Sequence, residues 1–383
     1  MKIAVVTGYF ETEYYRSNEY LICQGMVKLG HEVVLFASNK LPKWQNPQNS
    51  NTLLQNMKYD GFLIRRLSCG PEIGIVPLMP RLLSFLRKEE FDVIHAHEFF
   101  TSSSFQSAIA AEKKCRFIVT QHNDRVPPSV VNQLLYLFNR YTFGKYALSR
   151  AKKIIALTTD IKIHLLKMGA DECKIEVLPN GVNTKTFSPS QENLLEAKWK
   201  ITSPVVLFVG RLVEEKGTEY LFQAFSEVIR EIPEANLVIV GKGPQEKNLK
   251  AMVGKLGLRN VFFLGALESK FMPNIYVGCD VLVLPSVFEP FGNVVVEAMA
   301  AGKPVIGSYA GGIKDSVVHG ITGFHVSPRS SKQISRYLLE LLEDSALRKR
   351  LGENARKKAL NEYDSELLLR KIERIYLDQG LAA

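Results

Sequence analysis

Two carboxylates flank a Phe-Gly-Asn turn in the segment Pro285-Ser-Val-Phe-Glu-Pro-Phe-Gly-Asn-Val-Val-Val-Glu297. The apolar run before Pro285 reads as a buried strand, and a helix should begin near Asn293. Gly292 lets the backbone approach a ligand closely. Unpaired N–H groups at the helix start, Asn293 and Val294 among them, suit an anion such as a diphosphate, and the helix dipole adds to this. Glu289 precedes the helix and can face a ligand. Glu297 lies about one turn in, where a carboxylate can accept both hydroxyls of a ribose diol. Taken singly, Glu297 need only complement the helix dipole and Glu289 need only be a surface charge. Both carboxylates around one helix start, beyond a buried strand, point to chemistry.

A basic counterpart lies upstream in Gly210-Arg-Leu-Val-Glu-Glu-Lys-Gly217, which also follows an apolar run and opens a helix. A diphosphate that leaves as a bond breaks gains negative charge. Arg211 can fork two phosphate oxygens and Lys216 can add a point charge. Such groups accelerate a reaction because they act most strongly on charge that develops in the transition state. Val240-Gly-Lys-Gly-Pro244 is a Gly-rich turn that lacks the full dinucleotide fingerprint and reads equally well as a plain tight turn. Thr120-Gln-His122-Asn-Asp124 ends a strand in the first half of the chain. In Asp92-Val-Ile-His-Ala-His97, strand alternation puts His95 and His97 on one face. No Cys or Asp cluster accompanies them in the sequence, so no metal centre is expected there. Nor is there an Asp-x-Asp segment, the usual carboxylate pair for a divalent ion on a diphosphate. Arg211, Lys216 and the helix start are expected to do the neutralising.

These residues need strands that end at one edge. In the first half, apolar runs at 3–10, 32–38, 60–67, 92–97, 116–122, 153–158 and 174–180 alternate with helical stretches near 17–29, 77–89, 101–113, 131–149 and 160–168. Several runs are apolar on both faces, as parallel strands covered by helices should be. The pattern restarts at 205–210, 235–241, 261–265, 281–286, 303–308 and 323–328. The expected fold is α/β, with two Rossmann-like doubly wound domains facing across a cleft. The domains span residues 1–185 and 186–364, and a last helix (about 365–383) packs back on the first.

The length of 383 residues agrees with two domains. No signal-peptide pattern opens the chain, and no apolar run is long enough for a membrane span. The five cysteines are scattered without paired spacing and read as free thiols in a reducing cytoplasm. Net charge is +10, of which residues 1–185 carry +8. A basic first half suggests an anionic partner: a membrane surface, a phosphorylated acceptor or nucleic acid. Ordinary solubilising charge explains it as well. Nucleic acid is disfavoured because no nucleic-acid motif accompanies the charge. The basic, aromatic stretch Val131–Lys153 suits an anionic membrane surface, and equally an ordinary sheet-covering helix.

The 285–307 segment resembles the signature of the retaining glycosyltransferase family 4, whose fold is GT-B. The resemblance covers nearly the whole chain. Asp92–His97, Leu178–Asn183, Val209–Gly217, Ile239–Pro244, Val261–Gly265 and Gly311–Val317 fall in the family's order. It implies that Arg211 and Lys216 are the phosphate-binding pair and that the backbone around Gly241 and Gly243 lies near the nucleotide. It also implies that Leu264 and Gly265 border the base and that His122 contacts the donor sugar. Glu289 would orient that sugar and stabilise developing positive charge, with Glu297, Phe291, Gly292, Asn293, Val294 and Gly210 completing the donor site. The family often has a Gly-Gly pair after the first strand, but here the loop reads Gly8-Tyr-Phe-Glu-Thr-Glu-Tyr-Tyr-Arg-Ser-Asn-Glu19. Tyr14, Tyr15, Arg16 and Asn18 are therefore candidate acceptor contacts, with His97 lining the acceptor side.

The implied function is transfer of a hexose-type sugar from a nucleoside-diphosphate sugar to an acceptor hydroxyl, without metal or other cofactor. The acceptor would be a sugar, a lipid-linked group or a small molecule. The expected location is cytoplasmic, with peripheral contact at the inner membrane face. A nucleotide-sugar 2-epimerase and a catalytically silent nucleotide-sugar-binding protein are the competing readings.

Overall fold

The protein is described by a computed structural model that covers residues 1–10, 17–40, 56–70, 72–73, 76–111, 115–123 and 130–378. It divides into two compact units, Met1–Pro179 with Glu366–Ala383, and Asn180–Ser365.

The first unit carries strands β1 (Lys2–Val6), β2 (Glu32–Ser38), β3 (Asn56–Tyr59), β4 (Phe62–Leu67), β5 (Glu72–Ile73), β6 (Val76–Pro77), β7 (Val93–His97), β8 (Arg116–Gln121), β9 (Lys153–Ala156) and β10 (Ile175–Val177). Its helices are α1 (Asn18–Lys28), α2 (Leu82–Lys88), α3 (Ser102–Ala110), α4 (Val130–Asn139), α5 (Lys145–Arg150) and α6 (Thr159–Lys167). The main sheet runs β10-β9-β8-β7-β1-β2-β4-β3 and is parallel except for β3, which pairs antiparallel with β4. Strands such as Ile3-Ala-Val-Val6 are fully buried, which is what a sheet covered on both faces requires. From β1 the chain moves to β2 on one side, and later enters β7 on the other. The topological switch point therefore lies between β1 and β7.

The antiparallel edge differs from the sequence reading, which took 60–67 as one strand. Asp60-Gly61 instead turns the chain between β3 and β4, the short-range signal for a hairpin. The expected helix over 131–149 is also interrupted, since a single π turn at Arg140–Gly144 separates α4 from α5. There the Arg140 guanidinium leaves the helix axis to meet His164 and Met168 of the α6 segment.

The second unit carries β11 (Val205–Val209), β12 (Asn236–Val240), β13 (Val261–Gly265), β14 (Val281–Leu284), β15 (Val305–Ser308) and β16 (Gly323–Val326), all parallel, in the order β13-β12-β11-β14-β15-β16. Helices α7 (Leu194–Trp199), α8 (Thr218–Glu231), α9 (Glu246–Lys255), α10 (Met272–Val277), α11 (Asn293–Ala300), α12 (Ile313–Ser316), α13 (Ser331–Glu343) and α14 (Ser345–Lys358) accompany it. The switch point falls between β11 and β14. The last helix, α15 (Ser365–Leu377), packs Leu368, Ile372, Ile375 and Tyr376 into the core of the first unit, against Ile22, Cys23 and Met26 of α1. Among the described residues no helix is long and apolar enough to cross a membrane.

Candidate active site

In the second unit, the loops leaving β11, β12 and β13 are joined by main-chain hydrogen bonds. Gly210 N donates to Val240 O, Leu212 N to Lys242 O and Gly241 N to Gly265 O. A Cβ on Gly241 would fall 1.8 Å from the Gly210 carbonyl oxygen, and its φ of +139° is one that L side chains rarely adopt. Only glycine permits this approach. The loop after β11 is tied across the switch point as well, because Val287 N donates to Glu215 O at 2.8 Å. That bond brings the basic segment 211–216 beside the carboxylate loop that follows β14.

The contact at this junction is an ion pair. Lys216 Nζ lies 2.6 Å from Glu289 Oε2, with side chains only 14% and 8% exposed. Ser286 Oγ donates to the same oxygen at 3.2 Å. The Glu289 backbone is held as closely: Gly312 N donates to Glu289 O, and a Cβ on Gly311 would fall 1.7 Å from that oxygen. Arg211 is more open, 44% exposed, with Nη2 3.3 Å from Glu215 Oε1. The unit thus holds a lysine whose charge is matched by Glu289, and a half-exposed guanidinium paired with Glu215.

Helix α11 begins directly after Gly292, with no side-chain cap at its N-terminus. Asn293 Oδ1 accepts from Asn180 Nδ2 at 2.9 Å, and Phe291 is buried with its ring 6.3 Å from that of Tyr363. Glu297 Oε2 accepts from the Tyr276 hydroxyl at 2.7 Å. Burial pushes the Glu297 carboxyl up to about 7, while the Tyr276 hydrogen bond pulls it down.

The first unit assembles a polar cluster at the carboxyl ends of β1, β7 and β8. His97 closes β7, His122 follows β8, and Glu19 comes from the first turn of α1 after β1. His97 Nδ1 is 2.6 Å from His122 Nε2, and the two rings lie edge to edge, 18° from coplanar, with centroids 4.9 Å apart. Glu19 Oε1 lies 3.6 Å from His97 Nδ1 and 4.0 Å from His122 Nε2, and accepts from Thr7 Oγ1 at 3.3 Å. His95 stacks on His97 at 4.6 Å, with its nitrogens engaged by Tyr376 Oη and Thr120 Oγ1. Burial lowers all three imidazoles. At His122 it acts against the raising charge of Glu19.

Glu19, His97 and His122 bring one ligand-type atom each within 4.8 Å of one another. The carboxylates adjacent to these histidines in the sequence are Glu98 and Asp124, whereas the one that the fold brings into the cluster, Glu19, comes from a distant helix. The 2.6 Å contact is that of a hydrogen bond. Two imidazole nitrogens on one ion, each about 2.0–2.1 Å from it, stand farther apart.

Residues 20–186 match the glycosyltransferase family 4 profile and residues 191–358 that of glycosyl transferases group 1. An uncharacterized glycosyltransferase of Methanocaldococcus jannaschii is 28% identical over 372 residues, covering 93% of this chain and 92% of that one. Another from the same organism is 30% identical over 281 residues, covering 71% and 72%. The chain belongs to glycosyltransferase family 4. The Anabaena HepE structure in complex with UDP and glucose shares the fold, with a TM-score of 0.79 at 22% identity over 99% of this chain and all of that one. The transferase is a GT-B enzyme built of two Rossmann-like units.

Within the transferase, Gly210, Arg211, Lys216, Gly241, Gly243, Leu264, Gly265, Glu289, Gly292, Asn293, Val294 and Glu297 all lie in the second unit, at or beyond the carboxyl ends of its strands. Phe291 differs in kind, because its ring is packed inside and only its backbone is available to a ligand. His97 is buried behind His122. Asn18 opens α1, and Tyr14, Tyr15 and Arg16 lie outside the described residues. Sequence reasoning missed Glu19, Glu215, Tyr276, Ser286 and Gly311. Glu215, Ser286 and Gly311 stood inside segments already singled out. Glu19 and Tyr276 carry no local signal, since their partners are far away in the chain.

Proposed function

We propose that the transferase moves a hexose-type sugar, with retention and without a metal ion, from a nucleoside-diphosphate sugar to an acceptor hydroxyl. The observation that carries this reading is the Lys216–Glu289 pair, set beside Arg211 and the uncapped start of α11. A pyrophosphate here meets a guanidinium, an ammonium and helix N–H groups, and needs no divalent ion to offset its charge. The absence of any Asp-x-Asp segment supports the same assignment. Once Lys216 turns to the phosphate, Glu289 is left as an anion that orients the sugar and stabilises an oxocarbenium-like transition state. The acceptor oxygen attacks the face from which the diphosphate departs, and a diphosphate oxygen takes its proton. Glu297 accepts ribose hydroxyls, Leu264 and Gly265 border the base, and His122 meets the donor sugar. Exclusion of water limits hydrolysis of the donor.

The acceptor is a sugar, a lipid-linked group or a small molecule, and the enzyme works in the cytoplasm, at the inner face of an anionic membrane. The surface of the first unit supports the membrane contact. Val130, Leu134, Leu137, Phe138, Tyr141 and Tyr146, along α4 to α5, are 40–70% exposed. Lys145, over the Tyr141 ring, and the exposed Arg150 and Lys152 follow them. Apolar and aromatic groups beside basic ones suit a charged lipid interface.

Incubation with a panel of nucleoside-diphosphate sugars, with and without acceptors, tests the main assignment. Slow release of the nucleoside diphosphate from one donor, accelerated by an acceptor, is the expected result. An epimerised donor with no nucleotide released, or binding without turnover, would contradict it.

A further inference from the structure

The cluster in the first unit contains more organisation than a single sugar-contacting histidine needs. His122 Nε2 is committed inward to His97 Nδ1, which leaves Nδ1 as the nitrogen it can present outward. One proton lies between the two rings, and its owner decides what His122 offers. If His122 kept it on Nε2, His97 would carry its own proton on Nε2, a buried nitrogen without a hydrogen-bond partner. A buried N–H with no acceptor is the rarer and costlier defect. If His97 holds the proton on Nδ1, only a lone pair is left unmatched at its Nε2. The Glu19 carboxylate favours the same choice, because its Oε1 is nearer His97 Nδ1 (3.6 Å) than His122 Nε2 (4.0 Å). Thr7 and the His95 stack hold the carboxylate and the His97 ring in place.

We infer that Glu19 and His97 are positioning residues that fix His122 as its Nδ1–H tautomer, so that it presents a hydrogen-bond donor outward from the end of β8. A free histidine side chain prefers the opposite tautomer. The functional consequence rests on the proposed reading that His122 meets an oxygen of the donor sugar. A fixed N–H offers that oxygen a donor with no rearrangement on binding.

Histidine-15N NMR of the full, ligand-free chain tests the tautomer directly, with the His122 signals identified by their loss in His122→Gln. The wild type should show His122 protonated on Nδ1 and bare on Nε2. His97→Leu and Glu19→Gln should move His122 toward the Nε2–H form. His97→Asn, whose amide N–H can replace that of Nδ1, should restore the wild-type pattern. An Nε2–H tautomer in the wild type, or a pattern unchanged by His97→Leu, would overturn the inference. So would stoichiometric capture of added Zn2+ by the cluster, since it would then be a cation site. Glu19→Gln should also lower donor turnover roughly tenfold, the scale of one lost hydrogen bond, without weakening nucleoside-diphosphate binding. The expected tautomer with unchanged turnover would uphold the inference and remove His122 from the catalytic assignment.

Discussion

In the proposed mechanism, Glu289 is the residue on which the chemistry turns. Glu289→Gln should lower turnover by roughly a hundredfold or more, the scale of losing one transition-state electrostatic contact. The amide oxygen still accepts from Lys216, so the melting temperature should shift by only a few degrees. Turnover near wild type in a steady-state assay would remove Glu289 from its catalytic role. Arg211 is 44% exposed and pairs with Glu215. Arg211→Ala should weaken binding of the free nucleoside diphosphate by about 1.5–3 kcal/mol, read by calorimetry, with folding unaffected. Glu297 brings a pH dependence. Its carboxyl titrates near 7 in the folded chain, above the ordinary carboxylate range. The folded state therefore binds the proton over a window where the unfolded chain has lost it, and stability falls as pH rises through that window. Acceptance of two ribose hydroxyls needs the ionised form, so nucleotide affinity should rise through pH 7. Glu297→Gln should flatten that rise, which separates it from titration of the phosphate. Glu289 and the basic pair were legible in the sequence because each lies in the segment directly after a buried strand, and Glu297 because it lies one turn into the helix that follows. Their pairing was not, because Lys216 and Glu289 belong to loops that meet only once β11 and β14 lie side by side.

Elements place these side chains by pinning loops to one another at points where a side chain cannot fit. Gly311→Ala would put a Cβ 1.7 Å from the Glu289 carbonyl oxygen, at a backbone φ of +47°. The loop after β14 must then shift, and turnover should fall at least tenfold with a clear drop in the melting temperature, as overpacking costs about 1–3 kcal/mol. Gly254 is the control. A Cβ there meets nothing within 4 Å in α9, so Gly254→Ala should leave activity unchanged and raise the melt slightly. Equal effects from the two variants would contradict the pinning. The parallel strands were readable as apolar runs because both faces are covered. The β3–β4 edge was harder to read, since Asn56-Met-Lys-Tyr59 is only 4 residues long and none of them is buried. The π turn left no apolar signature, and its first residue, Arg140, contacts His164 and Met168, partners distant in the sequence.

At the scale of the whole molecule, each sheet places candidate site residues at the carboxyl ends of the parallel strands beside its switch point. The first unit concentrates charge and exposed apolar surface on one helical segment. Flotation with vesicles tests that surface. The chain should bind anionic vesicles better than neutral ones and lose binding in high salt, and Leu134→Ser with Phe138→Ser should abolish it. Equal binding to neutral and anionic vesicles, or no effect of the pair of substitutions, would remove the membrane reading while leaving the transferase assignment intact. The net charge pointed to such a partner, but the sequence could not say which apolar side chains of 131–149 are left outside. That depends on which side of α4 faces the rest of the unit, with Tyr136 against Phe100, Asn139 inward, and Leu134, Leu137 and Phe138 outward. The account as a whole depends on where the pyrophosphate binds. Crystals soaked with a panel of nucleoside diphosphates answer this most directly. The expected density lies against Arg211, Lys216 and the first N–H groups of α11, with Lys216 turned from Glu289 toward the phosphates. A nucleotide bound elsewhere, with the Lys216–Glu289 pair intact and the start of α11 bare, would contradict it.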